Sequence, residues 1–111
     1  MIAIDIDPVK IEYAKRNAKI YGVEDRIEFV VGDFFKVADT LTADAVFLSP
    51  PWGGPQYTEH QSFDLEKMEV NGFRIFEAAK TISGNIAYFL PRNACVEQVY
   101  LWYCIFLNLA N

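Results

Sequence analysis

Ile2-Ala3-Ile4-Asp5-Ile6-Asp7-Pro8 carries two structural signals in direct succession. A short apolar run rich in β-branched residues is the pattern of a strand buried on both faces of a parallel sheet. Asp7 followed by Pro8 then reads as a helix N-cap with proline at the first helical position, where its missing N–H costs nothing. Strand turning directly into helix is the opening of a βαβ unit. Ile11, Ala14, Ala18 and Tyr21 recur at helical spacing and predict the packed face, while Lys10, Glu12, Lys15, Arg16 and Lys19 occupy the other. Glu12 and Arg16 are spaced for an i,i+4 pair, and Gly22 suits the helix stop.

The same alternation continues along the chain. Strands are expected at 27–31, 45–48 and 86–90, with helical segments at about 34–41, at 73–82 and after Asn93. Phe73, Phe76, Ala79 and Ile82 fall on one face of the third helix, and Tyr88 and Phe89 read as core. The order βαβαβαβ predicts a mostly parallel sheet with helices on both faces. In such sheets ligands bind at the carboxyl ends of the strands. Four polar groups fall there: Asp5 with Asp7, Gly32-Asp33, Ser49 to Trp52, and Pro91-Arg92-Asn93.

Composition narrows the class. The chain has 111 residues, 52% hydrophobic and 23% charged, which fits one small globular domain or a piece of one. A formal net charge of −5 argues against wrapping long nucleic acid by phosphate neutralisation, so any RNA recognition must be local, in a pocket. No apolar run is long enough for a membrane span, and the acidic start is unlike a signal peptide. Cys95 and Cys104 lack Cys/His partners at zinc spacing and read as ordinary intracellular thiols; no metal is expected.

Leu48-Ser49-Pro50-Pro51-Trp52-Gly53-Gly54-Pro55-Gln56 is the most informative stretch for chemistry. Consecutive prolines supply no backbone donors and hold their own φ, so the strand stops and a rigid turn presents Ser49 and Trp52. A flat ring there can stack on a planar base, and a cationic base adds on the order of 1–2 kcal/mol of cation–π attraction. Ser49 and neighbouring carbonyls suit an exocyclic amine on a flat ring. By accepting its N–H bonds they favour pyramidalisation and aim the lone pair at a methyl donor. The alternative is a proline-rich turn with Trp52 in the core. Asp5 is placed either to accept two ribose hydroxyls or to cap the helix, for which Asp7 is better placed. Asp33 is placed to accept from an adenine amino group, although a Gly-Asp pair alone is a common turn. Arg92 has the planar fork for phosphate, and Tyr57 can assist as a donor. His60 reads as an exposed loop residue.

Taken together, Ile2 to Pro8, Gly32-Asp33-Phe34, Phe47 to Pro55 and Tyr88-Phe89-Leu90-Pro91-Arg92-Asn93 resemble the trimethylguanosine synthase family of eukaryotic RNA cap guanine-N2 methyltransferases. The motifs match in order from residue 2 to about Val99. More distant relatives, with Asp or Asn before the two prolines, methylate adenine or glutamine amines. The resemblance implies a Rossmann-like class I methyltransferase fold. It also implies two methyl transfers from S-adenosylmethionine to N2 of 7-methylguanosine caps on small nuclear and nucleolar RNAs. Asp5, Asp33 and Phe34 would bind the cofactor, and Ser49 and Pro50 would line the reacting amine. Trp52 would stack on 7-methylguanine, while Tyr57, Arg92 and Asn93 would hold the rest of the cap. Nuclear localisation, in nucleolus and Cajal body, follows from the family, with the cytoplasm as a second compartment.

Departures from the family pattern are equally specific. The family's first strand and its Gly-rich loop have no counterpart, nor do its last strands. The missing first strand sits centrally in the family's sheet, between the strands ending at Asp5 and Ser49, so a gap with unpaired backbone groups is expected there. The expected organisation is a partial methyltransferase domain over residues 1–99 and a diverging apolar tail over 100–111. A truncated gene product is the corresponding expectation, with a non-catalytic cap- or purine-nucleotide-binding remnant, or an unstable fragment, as the alternatives.

Overall fold

The computed structural model describes residues 1–53 and 62–109, and side chains within them except those of residues 103 and 105–109. Two compact units divide the chain, Met1–Leu41 and Thr42–Asn111.

The first unit is one βαβ element with a helical end. Strand β1 (Ile2–Asp5) leads into helix α1 (Pro8–Ile20), a 3-10 turn at Glu24–Arg26, strand β2 (Glu28–Val31) and helix α2 (Phe34–Val37), which tightens into a 3-10 turn at Ala38–Thr40. β1 and β2 pair in parallel, Ile2 opposite Glu28 through Asp5 opposite Val31. Asp7 caps α1 as expected, its Oδ1 accepting the Val9 N–H at 2.8 Å. The helix ends at Gly22, whose φ of +65° is a conformation that glycine adopts without the Cβ penalty.

Only Ile11 and Ala18 of α1 are buried. Tyr21 is 80% exposed, contrary to its expected place on the packed face, because it lies at the C-cap where the helix unwinds. Glu12 pairs with Lys15 at 3.1 Å, one residue nearer than the expected partner Arg16. Both charged side chains are solvent-exposed, so the exchange of partners alters stability little.

The second unit repeats the pattern with a larger core. Strand β3 (Val46–Leu48) is followed by the proline turn, a 3-10 turn at Leu65–Lys67, helix α3 (Gly72–Ile82), strand β4 (Ile86–Tyr88) and helix α4 (Val96–Leu109). β3 and β4 are parallel, Val46 opposite Ile86 through Leu48 opposite Tyr88. Their register is set where α3 ends. Ser83 Oγ and Asn85 Nδ2 both donate to the Asp44 carbonyl, each at 2.9 Å, and the Val46 N–H donates to the Asn85 carbonyl at 2.8 Å.

Leu48, Phe63, Leu65, Met68, Ile75, Ala79, Ile82 and Trp102 form the buried core of this unit. Trp102 of α4 is its keystone. Its ring stacks on Phe76 and on Tyr88, each at 5.4 Å between centroids, and meets Phe73 edge-on at 4.7 Å. α4 thereby docks on α3 and β4 through the apolar stretch that follows Val99. Burial pushes the Tyr88 phenol upward, so it stays protonated, and its hydroxyl donates to the Gly72 carbonyl at 3.3 Å.

The described strands form two parallel pairs, β1–β2 and β3–β4. Each pair is built by a local crossover, through α1 or α3. One expectation is corrected: Phe89 is 54% exposed and not core. β4 ends at Tyr88, and the alternation of side chains turns Tyr88 inward and Phe89 outward.

Candidate functional site

Parallel pairing brings the carbonyl ends of β1 and β2 together, and with them two carboxylates. Asp5 closes β1 opposite Val31, and the next residue on β2, Gly32, donates its N–H to the Asp5 carbonyl at 3.0 Å. Asp33 follows at once. Both side chains are half-buried and each spends one oxygen on local backbone. Asp5 Oδ1 accepts the Asp7 N–H at 2.9 Å, and Asp33 Oδ1 accepts the Phe35 N–H at 3.0 Å, capping α2. The second oxygen of each remains for an outside donor. Asp7, not Asp5, caps α1; Asp5 accepts the Asp7 N–H instead, and a carboxylate has acceptor capacity beyond that one bond. Phe34 is the first residue of α2, half-buried, with its ring 5.8 Å from that of Phe35.

Ser49, Pro50, Trp52, Arg92 and Asn93 belong to the second unit, at the ends of β3 and β4. The Phe89 N–H donates to the Leu48 carbonyl at 2.8 Å, the last rung before the strands part. Ser49 is exposed, with its hydroxyl available, and Pro50 is half-buried. Trp52 folds back on the other strand. Its indole N–H donates to the Phe89 carbonyl at 3.3 Å, and its ring lies 5.1 Å from the Phe89 ring with the planes tilted by 37°. Trp52 is therefore neither a loose surface ring nor a core residue. It is a half-buried platform fixed at its polar edge, with Phe89 beside it. Gly53, at φ +91°, makes the turn that follows.

Three residues past Phe89, exposed Arg92 and half-buried Asn93 lie in a turn closed by the Ala94 N–H on the Pro91 carbonyl at 3.0 Å. Phe63 pairs with this turn as a short parallel bridge. Its N–H donates to the Asn93 carbonyl at 2.7 Å, and its carbonyl accepts the Cys95 N–H at 3.0 Å. The chain thus leaves β3 pinned to Phe89 and returns pinned to Asn93 and Cys95. Tyr57 and His60 lie outside the described residues.

Phe89 is the site feature that the sequence reading missed. The available signal was period two at the strand end, with an aromatic residue at the position that faces outward. Among the described residues no group of three or more His, Cys, Asp or Glu could hold a metal ion, and no helix is long and apolar enough to cross a membrane.

Parallel βαβ pairs with carboxylates and an aromatic turn at their carboxyl ends define an α/β protein, a class in which ligands commonly bind at the strand ends. Comparison with known proteins sharpens this. The chain belongs to the RNA cap guanine-N2 methyltransferase family, which it matches over residues 1–107. It is 39% identical over 106 residues to the trimethylguanosine synthase of Schizosaccharomyces pombe (strain 972 / ATCC 24843), covering 89% of this chain and 44% of that protein. It is 36% identical over 91 residues to the trimethylguanosine synthase of Saccharomyces cerevisiae (strain ATCC 204508 / S288c), covering 76% of this chain and 29% of that protein. The chain spans less than half the length of either relative.

Proposed function

We propose that this chain serves in methylation of the N2 amine of 7-methylguanosine RNA caps, as part of a Rossmann-like class I methyltransferase fold. The observation that carries the reading is the Ser49 to Gly53 turn, which offers a fixed indole platform beside an exposed hydroxyl at a strand end. Membership of the cap methyltransferase family supports it.

S-adenosylmethionine, the methyl donor that the family implies, supplies an electrophilic methyl carbon on a sulfonium sulfur. The residues present fit such a group. Asp5 and Asp33, on adjacent strand ends, each keep a carboxylate oxygen for donors of the kind that ribose hydroxyls and an adenine amine provide. Phe34, at the start of α2, offers the neighbouring ring. On the substrate side, Trp52 stacks on the flat, cationic 7-methylguanine and excludes water from one face of it. Ser49 Oγ and the Pro50 carbonyl accept the N2 hydrogens, which localises the nitrogen lone pair and turns it outward. Proton loss after transfer needs no strong base, because the methylated amine is acidic until it returns to the neutral form. Arg92, Asn93 and Tyr57 hold the cap's phosphates and sugar.

Small nuclear and small nucleolar RNAs are the proposed carriers of the cap, and the nucleus, with nucleolus and Cajal body, the proposed location, with the cytoplasm second. The division into a methyltransferase segment over 1–99 and a tail over 100–111 is likewise proposed from the motif match.

Calorimetric titration with 7-methylguanosine diphosphate and with guanosine diphosphate tests the substrate half. The methylated ligand should bind about tenfold more tightly, the equivalent of the cation–π increment, and Trp52→Ala should abolish that preference. Equal affinity for the two ligands, or a preference that survives Trp52→Ala, would remove Trp52 from the site.

A further inference from the structure

We infer that Gln98, acting through Asp64, is a positioning residue for the phosphate-facing turn at Arg92 and Asn93; the inference rests on the cap-binding reading of that turn. Gln98 lies on α4, five residues beyond Asn93 and distant in sequence from Asp64 and from the proline turn. Its amide makes two hydrogen bonds to one short stretch of chain. Nε2 donates to Asp64 Oδ1 at 2.8 Å, and Oε1 accepts the Leu65 N–H at 2.9 Å. A primary amide that spends both a donor and an acceptor on consecutive residues fixes their position and orientation together.

The stretch it holds is the one that holds the turn. Phe63, the residue before Asp64, donates to the Asn93 carbonyl at 2.7 Å and accepts from the Cys95 N–H at 3.0 Å. The clamp is reinforced on its own side. Asp64 Oδ1 also accepts the Glu66 N–H at 3.0 Å, while Phe63 and Leu65 are both buried. The amide holds Asp64 and Leu65 on α4's side, the backbone carries that hold one residue back to Phe63, and the Phe63 bridge passes it to the backbone of Asn93. Arg92 is exposed, and among the described residues no side-chain hydrogen bond holds it. Its place is set by the backbone on either side, closed at Pro91–Ala94 and bridged at Phe63.

Such a device predicts an effect confined to the part of the ligand that the turn faces. Affinities of the intact chain for 7-methylguanosine diphosphate and for the 7-methylguanosine nucleoside are compared by calorimetry. The unsubstituted protein should prefer the diphosphate, and Arg92→Ala should abolish the preference. Gln98→Leu, which keeps the bulk and removes both hydrogen bonds, should weaken diphosphate binding about tenfold and leave nucleoside binding within about twofold. Asp64→Ala should behave as Gln98→Leu does, whereas Asp64→Asn, which retains an acceptor oxygen, should restore the preference. Equal loss of both ligands in Gln98→Leu would mean a general role in folding and would overturn the inference, as would unchanged binding of both. If the unsubstituted chain binds neither ligand, the proposed function falls and takes this inference with it. A diphosphate preference that survives Gln98→Leu but not Arg92→Ala sinks the inference alone.

Discussion

At Trp52 the indole N–H bonded to the Phe89 carbonyl converts a mobile surface ring into a fixed one, which lowers the entropy that a stacking ligand must remove. Phe89 supports that ring at 5.1 Å, so Phe89→Ala should weaken 7-methylguanosine diphosphate binding about fivefold, read by the same calorimetry, without touching the ligand's phosphates. Gly53 is the other residue on which the turn depends. At φ +91° an added Cβ meets nothing within 4 Å, so Gly53→Ala costs backbone strain alone, about 1–3 kcal/mol in denaturant unfolding. Trp52 was legible because two prolines and a glycine leave a single ring at a strand end. Phe89 was not, because Ile86 to Leu90 reads as one unbroken apolar run and only the strand's actual stop at Tyr88 decides which ring faces out.

Element by element, local chemistry read well where a single residue decides. Asp7-Pro8 placed the start of α1; the start of α3 is set by Asn71, which the sequence analysis did not single out, its Oδ1 accepting from the N–H groups of Phe73 and Arg74. Packing between elements was less legible. Gly72 is buried where α3 meets the Leu65–Lys67 turn, and a Cβ there would stand 3.0 Å from the Leu65 carbonyl oxygen and 3.1 Å from Met68 Sδ. Gly72→Ala should therefore cost about 1–3 kcal/mol by overpacking. Gly84→Ala, with nothing within 4 Å, should stay within about 0.5 kcal/mol in the same unfolding experiment.

The Gln98–Asp64 clamp was equally hidden, since no spacing rule links residues on different elements. The Gln98 amide, then the Glu66 N–H, hold the Asp64 carboxyl below its ordinary 3.8. A depressed carboxylate pKa gives stability that is fully present above 3.8 and is lost as pH falls through the lower folded value. Acid unfolding followed by circular dichroism should show that loss in the unsubstituted chain, and a shallower loss in Gln98→Leu.

At the scale of the whole molecule, alternation of strand and helix and the parallel sense of each strand pair were legible. Apolar runs report that a strand is buried, not which strand lies beside it, so the pairing partners follow from the crossovers through α1 and α3. The apolar stretch after Val99 supplies the centre of a core. Trp102 touches Phe73, Phe76 and Tyr88, and its buried indole N–H has no acceptor among the described residues. Trp102→Ala should cost about 3–5 kcal/mol. Trp102→Phe should cost markedly less, because it keeps a stacked ring and removes the unsatisfied donor. Both are read by chemical denaturation.

Methyl transfer to capped RNA is the decisive measurement. The purified chain is incubated with S-adenosylmethionine carrying a labelled methyl group and with RNA bearing either a 7-methylguanosine or an unmethylated guanosine cap. The cap nucleotides are then released and the label located by mass spectrometry. Label is expected on N2 of the 7-methylguanosine cap alone, lost in Trp52→Ala and reduced in Asp5→Ala. Label on adenine, equal labelling of both caps, or cap binding with no transfer would contradict this expectation.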